Sequence, residues 1–206
     1  MILITGTDTG VGKTYFTVSI LRYLRGKGKN VCGLKVVETG CNPVCEDAGK
    51  ISEVCDRKIP PIYKFKTPVA PAVASDIEGT KIDISKLKER IRKFSENYDE
   101  VFLEGAGGLL VPITWEYTFL DLAKELKAEI IVVALNKLGV INHTLLTVRV
   151  CKCEGLKVKA VILNSRENYD KTVETNYSSL KKLLDVPVYL FSSYEDLSNF
   201  GKQIVD

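Results

Sequence analysis

The sequence predicts a doubly wound α/β fold, a mostly parallel sheet wrapped by helices in a single domain over residues 1–206. Three observations carry this. Short runs rich in Val and Ile recur along the chain and are apolar at nearly every position, as strands buried on both faces are. Stretches with helical spacing of apolar residues separate them. No internal repeat or low-complexity linker interrupts the 206 residues, a length that one hydrophobic core can organise.

Residues 1–5 open as a strand and lead through a glycine-rich turn into a stripe of Phe16, Ile20, Leu21 and Leu24, all on one helical face. A second strand is expected over 30–36. Residues 39–81 are the least regular part and hold Pro43, Pro60, Pro61, Pro68 and Pro71, five of the seven prolines. Loops at the carboxyl ends of parallel strands bind the ligands of this fold, so part of that segment is expected to line the site. Ile84, Leu87, Ile91 and Phe94 form the next stripe, with Asp83 as its cap. A strand over 100–104 then ends on Glu104. Thr118-x-x-Asp121 reads as a capping box that opens the stripe Phe119, Leu122, Ala123 and Leu126. Strands over 129–135, 157–163 and 186–190 complete the sheet. Ile141, Leu145 and Val148 form a stripe between the first two, and Val173, Tyr177, Leu180 and Leu184 between the last two.

Composition excludes several classes. Net charge is +3, with Lys and Arg interspersed among Asp and Glu and no run of five basic residues, so nucleic acid is not an expected partner. The longest apolar run, 130–135, is far too short to span a membrane. The first residues show neither a basic region nor a cleavage site of a signal peptide, and a cytoplasmic location is expected. The six cysteines are therefore expected to be reduced and to act as small buried hydrophobes. Cys41-x3-Cys45 with Cys55, and Cys151-x-Cys153, lack the spacing of a zinc site, and His143 is the single histidine.

The chemistry begins where the first strand runs into Gly6-Thr7-Asp8-Thr9-Gly10-Val11-Gly12-Lys13-Thr14. A strand, a glycine-rich turn ending in Gly-Lys-Thr and an amphipathic helix make a phosphate-binding loop, and the fold is then of the P-loop NTPase type. Backbone N–H groups converge on phosphate oxygens, Lys13 adds a positive charge, and the Thr14 hydroxyl suits Mg²⁺. Lys13 is expected to face solvent when no ligand is bound. Glu104, followed by Gly105-Ala106-Gly107-Gly108, is expected to emerge at the mouth of the sheet as an acidic ligand of Mg²⁺; Asp47 is a second candidate that also reads as a helix-start residue. Lys35 ends a buried strand, where its charge calls for an anion, and Asn164 ends another, where its amide can meet a base edge.

These motifs, with Lys35 to Gly40, Leu110-Val111-Pro112 and Lys137-Leu138-Gly139-Val140-Ile141-Asn142-His143-Thr144, resemble the dethiobiotin synthetase family over nearly the whole chain. The resemblance implies an ATP- and Mg²⁺-dependent ligase that closes the cyclic urea of dethiobiotin from 7,8-diaminopelargonic acid and CO₂, through a carbamate and a carbamic-phosphoric anhydride. It implies Thr9, Lys13 and Lys35 as catalytic residues. Gly10, Val11, Gly12, Lys13, Thr14, Tyr15 and Asn164 would bind the nucleotide, and Lys35, Thr39, Gly107, Gly139, Ile141 and Asn142 the substrate. Thr14, Asp47 and Glu104 would hold magnesium. It also implies a homodimer in which the segment from Gly139 to Asn142 completes the neighbour's site. The chain departs from the family pattern at Gly10, where some members have glutamate, at Thr39, where many have serine, and at Ala72, where histidine is frequent. Two other readings are weaker. A partitioning or division-site ATPase switch places a signature lysine where this chain has Asp8, and a cobyrinate-type amidotransferase needs a glutaminase domain for which 206 residues leave no room.

Overall fold

The computed structural model describes residues 1–165 and 173–205. The chain runs β1 (Ile2–Gly6), α1 (Lys13–Gly26), β2 (Val31–Lys35), β3 (Val37–Glu38), α2 (Glu46–Val54), β4 (Tyr63–Lys64), α3 (Pro71–Glu78), α4 (Ile84–Ser95) and β5 (Glu100–Gly108). It continues through β6 (Pro112–Thr114), β7 (Tyr117–Thr118), α5 (Phe119–Leu126), β8 (Glu129–Leu135), α6 (Val140–Cys153), β9 (Val158–Asn164), α7 (Val173–Leu183), β10 (Val188–Phe191) and α8 (Leu197–Phe200).

Among the described residues six strands form one sheet in the order β10-β9-β8-β1-β5-β2, and every pairing in it is parallel. The expected α/β architecture therefore holds, with β3/β4 and the hairpin β6/β7 as two small additions. From β1 the chain travels through α1 to β2 at one edge, whereas from β5 it travels through α5 to β8 on the other side. Right-handed connections in opposite directions put α1 on one face and α5, α6 and α7 on the other. Packing agrees, with α1 beside α2 and α8, and α6 beside α7. β1 and β5 are neighbours whose outgoing loops diverge, which opens a crevice at their carboxyl ends.

The core is built as the sequence pattern implies. Ile2, Leu3 and Ile4 of β1 are fully buried, as are Phe16, Ile20 and Leu21 of the α1 stripe; each such side chain contributes about 1.5–3 kcal/mol of burial free energy. Gly33 shows how tightly the layers meet: a Cβ there would lie 2.7 Å from Leu21 Cδ1 and 2.8 Å from Ile51 Cγ2, so α1 and α2 both close over β2. The Asp83 cap forms, accepting the Lys86 N–H at 3.0 Å, and so does the Thr118–Asp121 capping box. In the last stripe Leu180 is buried and Tyr177 and Leu184 pack on the core, while the Val173 side chain lies outside the described residues.

Most strand ends lie within two residues of expectation, and three differences bear on the site. The strand expected over 30–36 stops at Lys35, and the chain then leaves the sheet as β3 to pair with β4. The strand expected to end at Glu104 continues to Gly108, because its glycines can lie flat beside β1, where Gly6 pairs with Gly108. The proline-rich segment folds a helix, α3, which Pro71 starts at its first position and Gly79 ends. Among the described residues no helix is long and apolar enough to cross a membrane.

Candidate active site

Gly12, with φ at +94°, turns the chain from the loop into α1, a helix that has no side-chain cap and no acidic residue in its first turn. Its first N–H groups are left for an anion, and the positive end of the helix dipole faces the same place. Lys13 is the correction here. It is 7% exposed rather than solvent-facing, and its Nζ folds back over the loop to donate to the Asp8 carbonyl at 3.1 Å. Burial, with the charge of Lys35 adding to it, lowers its pKa to about 8, so the site disfavours its own cation until an anion arrives.

A cleft of about 460 Å³ opens beside this loop, lined by Thr9, Gly10, Gly12, Lys13, Thr14 and Tyr15, by Lys35, Glu38, Thr39 and Asp47, and by Ala106, Gly107 and Val111. Pro68, Val69, Ala70 and Pro71 form a further wall, so the proline-rich segment does line the site. Its charged floor follows from strand register. Glu104 of β5 pairs with Lys35 of β2 on one side and Ile4 of β1 on the other. Glu104 Oε1 accepts from Thr14 Oγ1 at 2.7 Å and from Lys35 Nζ at 2.8 Å. Lys35 Nζ also donates to Asp47 Oδ2 at 2.6 Å and to the Gly105 carbonyl at 3.2 Å. Glu104 does not emerge at the mouth as expected; it is 0% exposed because β5 continues past it.

Electrostatics binds this cluster together. Burial alone would lower the pKa of Lys35, but the charges of Glu104 and Asp47 outweigh it and hold the ammonium above the ordinary lysine range. Asp47 shows the complement: burial would raise its pKa, and the Lys35 charge brings it below the usual carboxylate value. Among the described residues Glu104 Oε2 is buried without a hydrogen-bond partner. An orphaned carboxylate oxygen, the Thr14 hydroxyl and the Asp47 carboxylate are an oxygen donor set of the kind that a hard cation such as Mg²⁺ takes.

Other candidates fall in different places. Asn164 does not line the cleft; it is buried behind the loop, where its Nδ2 donates to the Val11 carbonyl at 2.9 Å. A Cβ on Gly12 would lie 2.1 Å from that nitrogen. Gly12→Ala is therefore expected to combine backbone strain with a clash and to cost about 2 kcal/mol or more of stability, together with nucleotide affinity. Urea denaturation and calorimetric ATP titration check this, and a variant with wild-type values for both would refute it. Gly139, Ile141 and Asn142 open α6, whose start also lacks a side-chain cap, but the chain does not bring them into its own cleft.

The thiol expectation fails at one pair. Cys41 and Cys45 form a disulfide that closes the turn between β3 and α2, and Cys45 is the residue preceding α2. Four residues of separation let the turn bring the two sulfurs together, a geometry that spacing alone does not reveal. Cys32, Cys55 and Cys151 are buried thiols, as expected, and Cys153 is exposed. Glu38 was missed as well. It is an acidic residue on an apolar strand, so the burial argument that singles out Lys35 applies to it equally.

The chain's similarity to known proteins agrees with this geometry. Residues 1–192 match the family model described as AAA domain. The ATP-dependent dethiobiotin synthetase BioD of Aquifex aeolicus is 35% identical over 198 residues, covering 95% of this chain and 90% of that protein. The protein of the same name from Thermodesulfovibrio yellowstonii is 39% identical over 204 residues, covering 89% and 84%. The chain belongs to the dethiobiotin synthetase family. A third dethiobiotin synthetase, from Methanocaldococcus jannaschii, is 38% identical and covers 85% of this chain and 87% of its own. Among solved structures, the signal recognition particle receptor FtsY from Elizabethkingia anophelis superposes with a TM-score of 0.56 at 15% identity, covering all of this chain and 65% of that one. That likeness shows the fold alone. Membership of the dethiobiotin synthetase family does not favour the partitioning-type switch.

Proposed function

We propose that this protein is an ATP-dependent ligase that closes the cyclic urea of dethiobiotin from 7,8-diaminopelargonic acid and CO₂. The observation that carries the reading is the cluster of Lys13, Lys35, Thr14 and Glu104 at the crevice between β1 and β5. One amine takes up CO₂ as a carbamate and releases a proton. A carbamate oxygen attacks the γ-phosphorus, ADP leaves, and a carbamic-phosphoric anhydride remains. The second amine then attacks the carbamoyl carbon and gives up a proton, and phosphate is expelled as the ring closes. The carbamate, the γ-phosphate and the released phosphate are all anions, so two lysines and the open start of α1 supply what the path needs: placement of carbamate and γ-phosphate, and compensation of charge.

In this reading Lys13 meets the phosphates, Lys35 the carbamate, and Thr9, Thr39 and Gly107 border the substrate. Glu104, Thr14 and Asp47 would hold Mg²⁺, which when bound neutralises charge on the phosphates. Release of ADP in a coupled assay tests the reaction. It should require both the diamine and bicarbonate; release that is indifferent to the diamine would refute the assignment.

A homodimer with shared sites belongs to the same proposal. What supports it is a second hollow of about 440 Å³ beside the loop, lined by Asp8, Thr9, Leu110, Val111, Leu146 and Val150. Leu110 and Leu146 are more than half exposed there, apolar surface that a second copy would cover. The uncapped start of α6, with Gly139, Ile141 and Asn142, would then receive the substrate carboxylate in the neighbour's cleft. Lys13→Ala and Asn142→Arg homodimers should each be nearly inactive. Mixed at equal amounts with free exchange, they should recover about a quarter of wild-type activity, because half the dimers are mixed and one of each mixed pair's two sites is intact. Confirmed exchange without recovery, or a monomer in sedimentation, would refute the shared site.

A further inference from the structure

Glu38 takes no part in the proposed chemistry, yet it is 6% exposed at the end of β3 and lines the cleft. Both of its oxygens are used. Oε1 accepts the backbone N–H of Asp47 at 2.8 Å and Oε2 that of Ala48 at 2.9 Å. These are donors of the first turn of α2, which no upstream helical carbonyl can satisfy. Cys45, the residue in the capping position, is tied up in the disulfide and supplies no side-chain hydrogen bond. Glu38 is thus the missing cap, delivered from another element. The residue whose N–H it holds is the same one whose carboxylate reaches Lys35 at 2.6 Å. Asp47 is gripped at both ends.

We propose that Glu38 is a positioning residue, which pins the first turn of α2 and thereby sets the Asp47 carboxylate on Lys35, within the magnesium-nucleotide site. The inference rests on the role given to Asp47 under the proposed function. A carboxylate is required at this place because both partners are donors. A glutamine in the same pose turns an NH₂ towards an N–H, which breaks one bond and leaves a buried donor unsatisfied.

Calorimetric ATP titration across a series of Mg²⁺ concentrations tests this without turnover, using the wild type, Glu38→Gln, Asp47→Asn and the double variant. Residues one step behind a metal ligand typically change affinity 10- to 100-fold, so Glu38→Gln should raise the Mg²⁺ concentration needed for half-maximal affinity about tenfold. ATP affinity without Mg²⁺ should not change, because the phosphate loop is untouched. The double variant should match Asp47→Asn alone, since Glu38 acts through Asp47. An unchanged Mg²⁺ requirement, equal loss with and without Mg²⁺, or multiplied effects in the double variant would each overturn the proposal. If Asp47→Asn itself leaves the Mg²⁺ requirement unchanged, the ligand role of Asp47 is wrong, and a crystal structure of Glu38→Gln decides the positioning: loss of the Asp47–Lys35 contact supports it and retention overturns it. Should Glu38→Gln fail to fold, Glu38→Asp replaces it. That variant keeps the charge but is one methylene short, so a smaller rise in Mg²⁺ requirement supports positioning by reach, and full wild-type behaviour overturns it.

Discussion

Lys13→Ala is expected to lower turnover by at least about a thousand-fold and yet to leave a protein that is more stable than the wild type at neutral pH. The loss follows from removing the charge that meets the phosphates during transfer. The gain follows from burial. In the wild type the Lys13 ammonium is 7% exposed with the Asp8 carbonyl as its acceptor, and its pKa falls from 10.5 to about 8. A lysine whose folded pKa lies below its unfolded value costs stability at every pH under the folded pKa, and the cost fades as pH rises from about 8 to above 10. Truncation should therefore add on the order of 1–3 kcal/mol near pH 7, less whatever packing the side-chain stem provides. Thermal melts at pH 7 and near pH 10 should show the two proteins converging as pH rises. A variant that melts lower than the wild type at pH 7, or one that turns over normally, would refute this account of the loop.

Lys35→Gln has the opposite sign for stability. Lys35 is the partner of both Glu104, which is 0% exposed, and Asp47. Removing one member of a buried ionic cluster leaves the others uncompensated, and the expected cost is about 3–5 kcal/mol. The family resemblance makes this lysine a catalytic and substrate-binding group and not a nucleotide-binding one, so that its loss would spare ATP binding; the structure adds that it also holds the floor of the cleft together. Chemical denaturation should show the loss, and calorimetry on the folded variant should show ATP affinity reduced far less than turnover is. A variant as stable as the wild type would mean that the two carboxylates find another partner. Equal loss of ATP affinity in Lys13→Ala and Lys35→Gln would make Lys35 a nucleotide residue instead.

The contrast between these lysines explains how far the sequence could be read. Lys13 stands out because it closes a glycine-rich turn ahead of a helix, and Lys35 because a charge on a buried strand needs a reason; both do lie in the cleft. What could not be read was which partner each meets when no ligand is present, because that depends on strand register and on a helix 12 residues further along the chain. The six strands of the main sheet and helices α1, α4, α5, α6 and α7 were legible because buried parallel strands and one-sided helices have different periods, whereas α3 and the small strand pairs were not. Their ends were less so: a glycine run such as Gly105-Ala106-Gly107-Gly108 reads as a loop, yet it continues β5 because β1 lies beside it. Asn164 was placed on the right strand, but its bond to Val11 depends on Gly12 lacking a side chain, a steric fact between residues far apart in sequence. The cap supplied by Glu38 escaped for the same reason. Local capping patterns, such as Asp83 and Thr118 with Asp121, can be found by spacing, and a cap from another element cannot.

Lys35, Glu104 and Ile4 lie abreast on three adjoining strands, and this makes the site a matter of counting. Successive residues of a strand point to opposite faces, so one residue added to or removed from β2 ahead of Lys35 would turn its ammonium through the sheet to the other side, away from Glu104. Adding two would restore the face but displace the charge by roughly 6–7 Å, beyond ion-pair reach. Parity and distance together thus leave no tolerated length change within β2 or the first half of β5. The same residues inserted between α2 and β4 would leave the alignment unaltered, because a loop adds length without altering the pairing of the strands. Variation in the size of this protein is therefore confined to its connections, while the interior strands behave as a fixed ruler against which the charges are set.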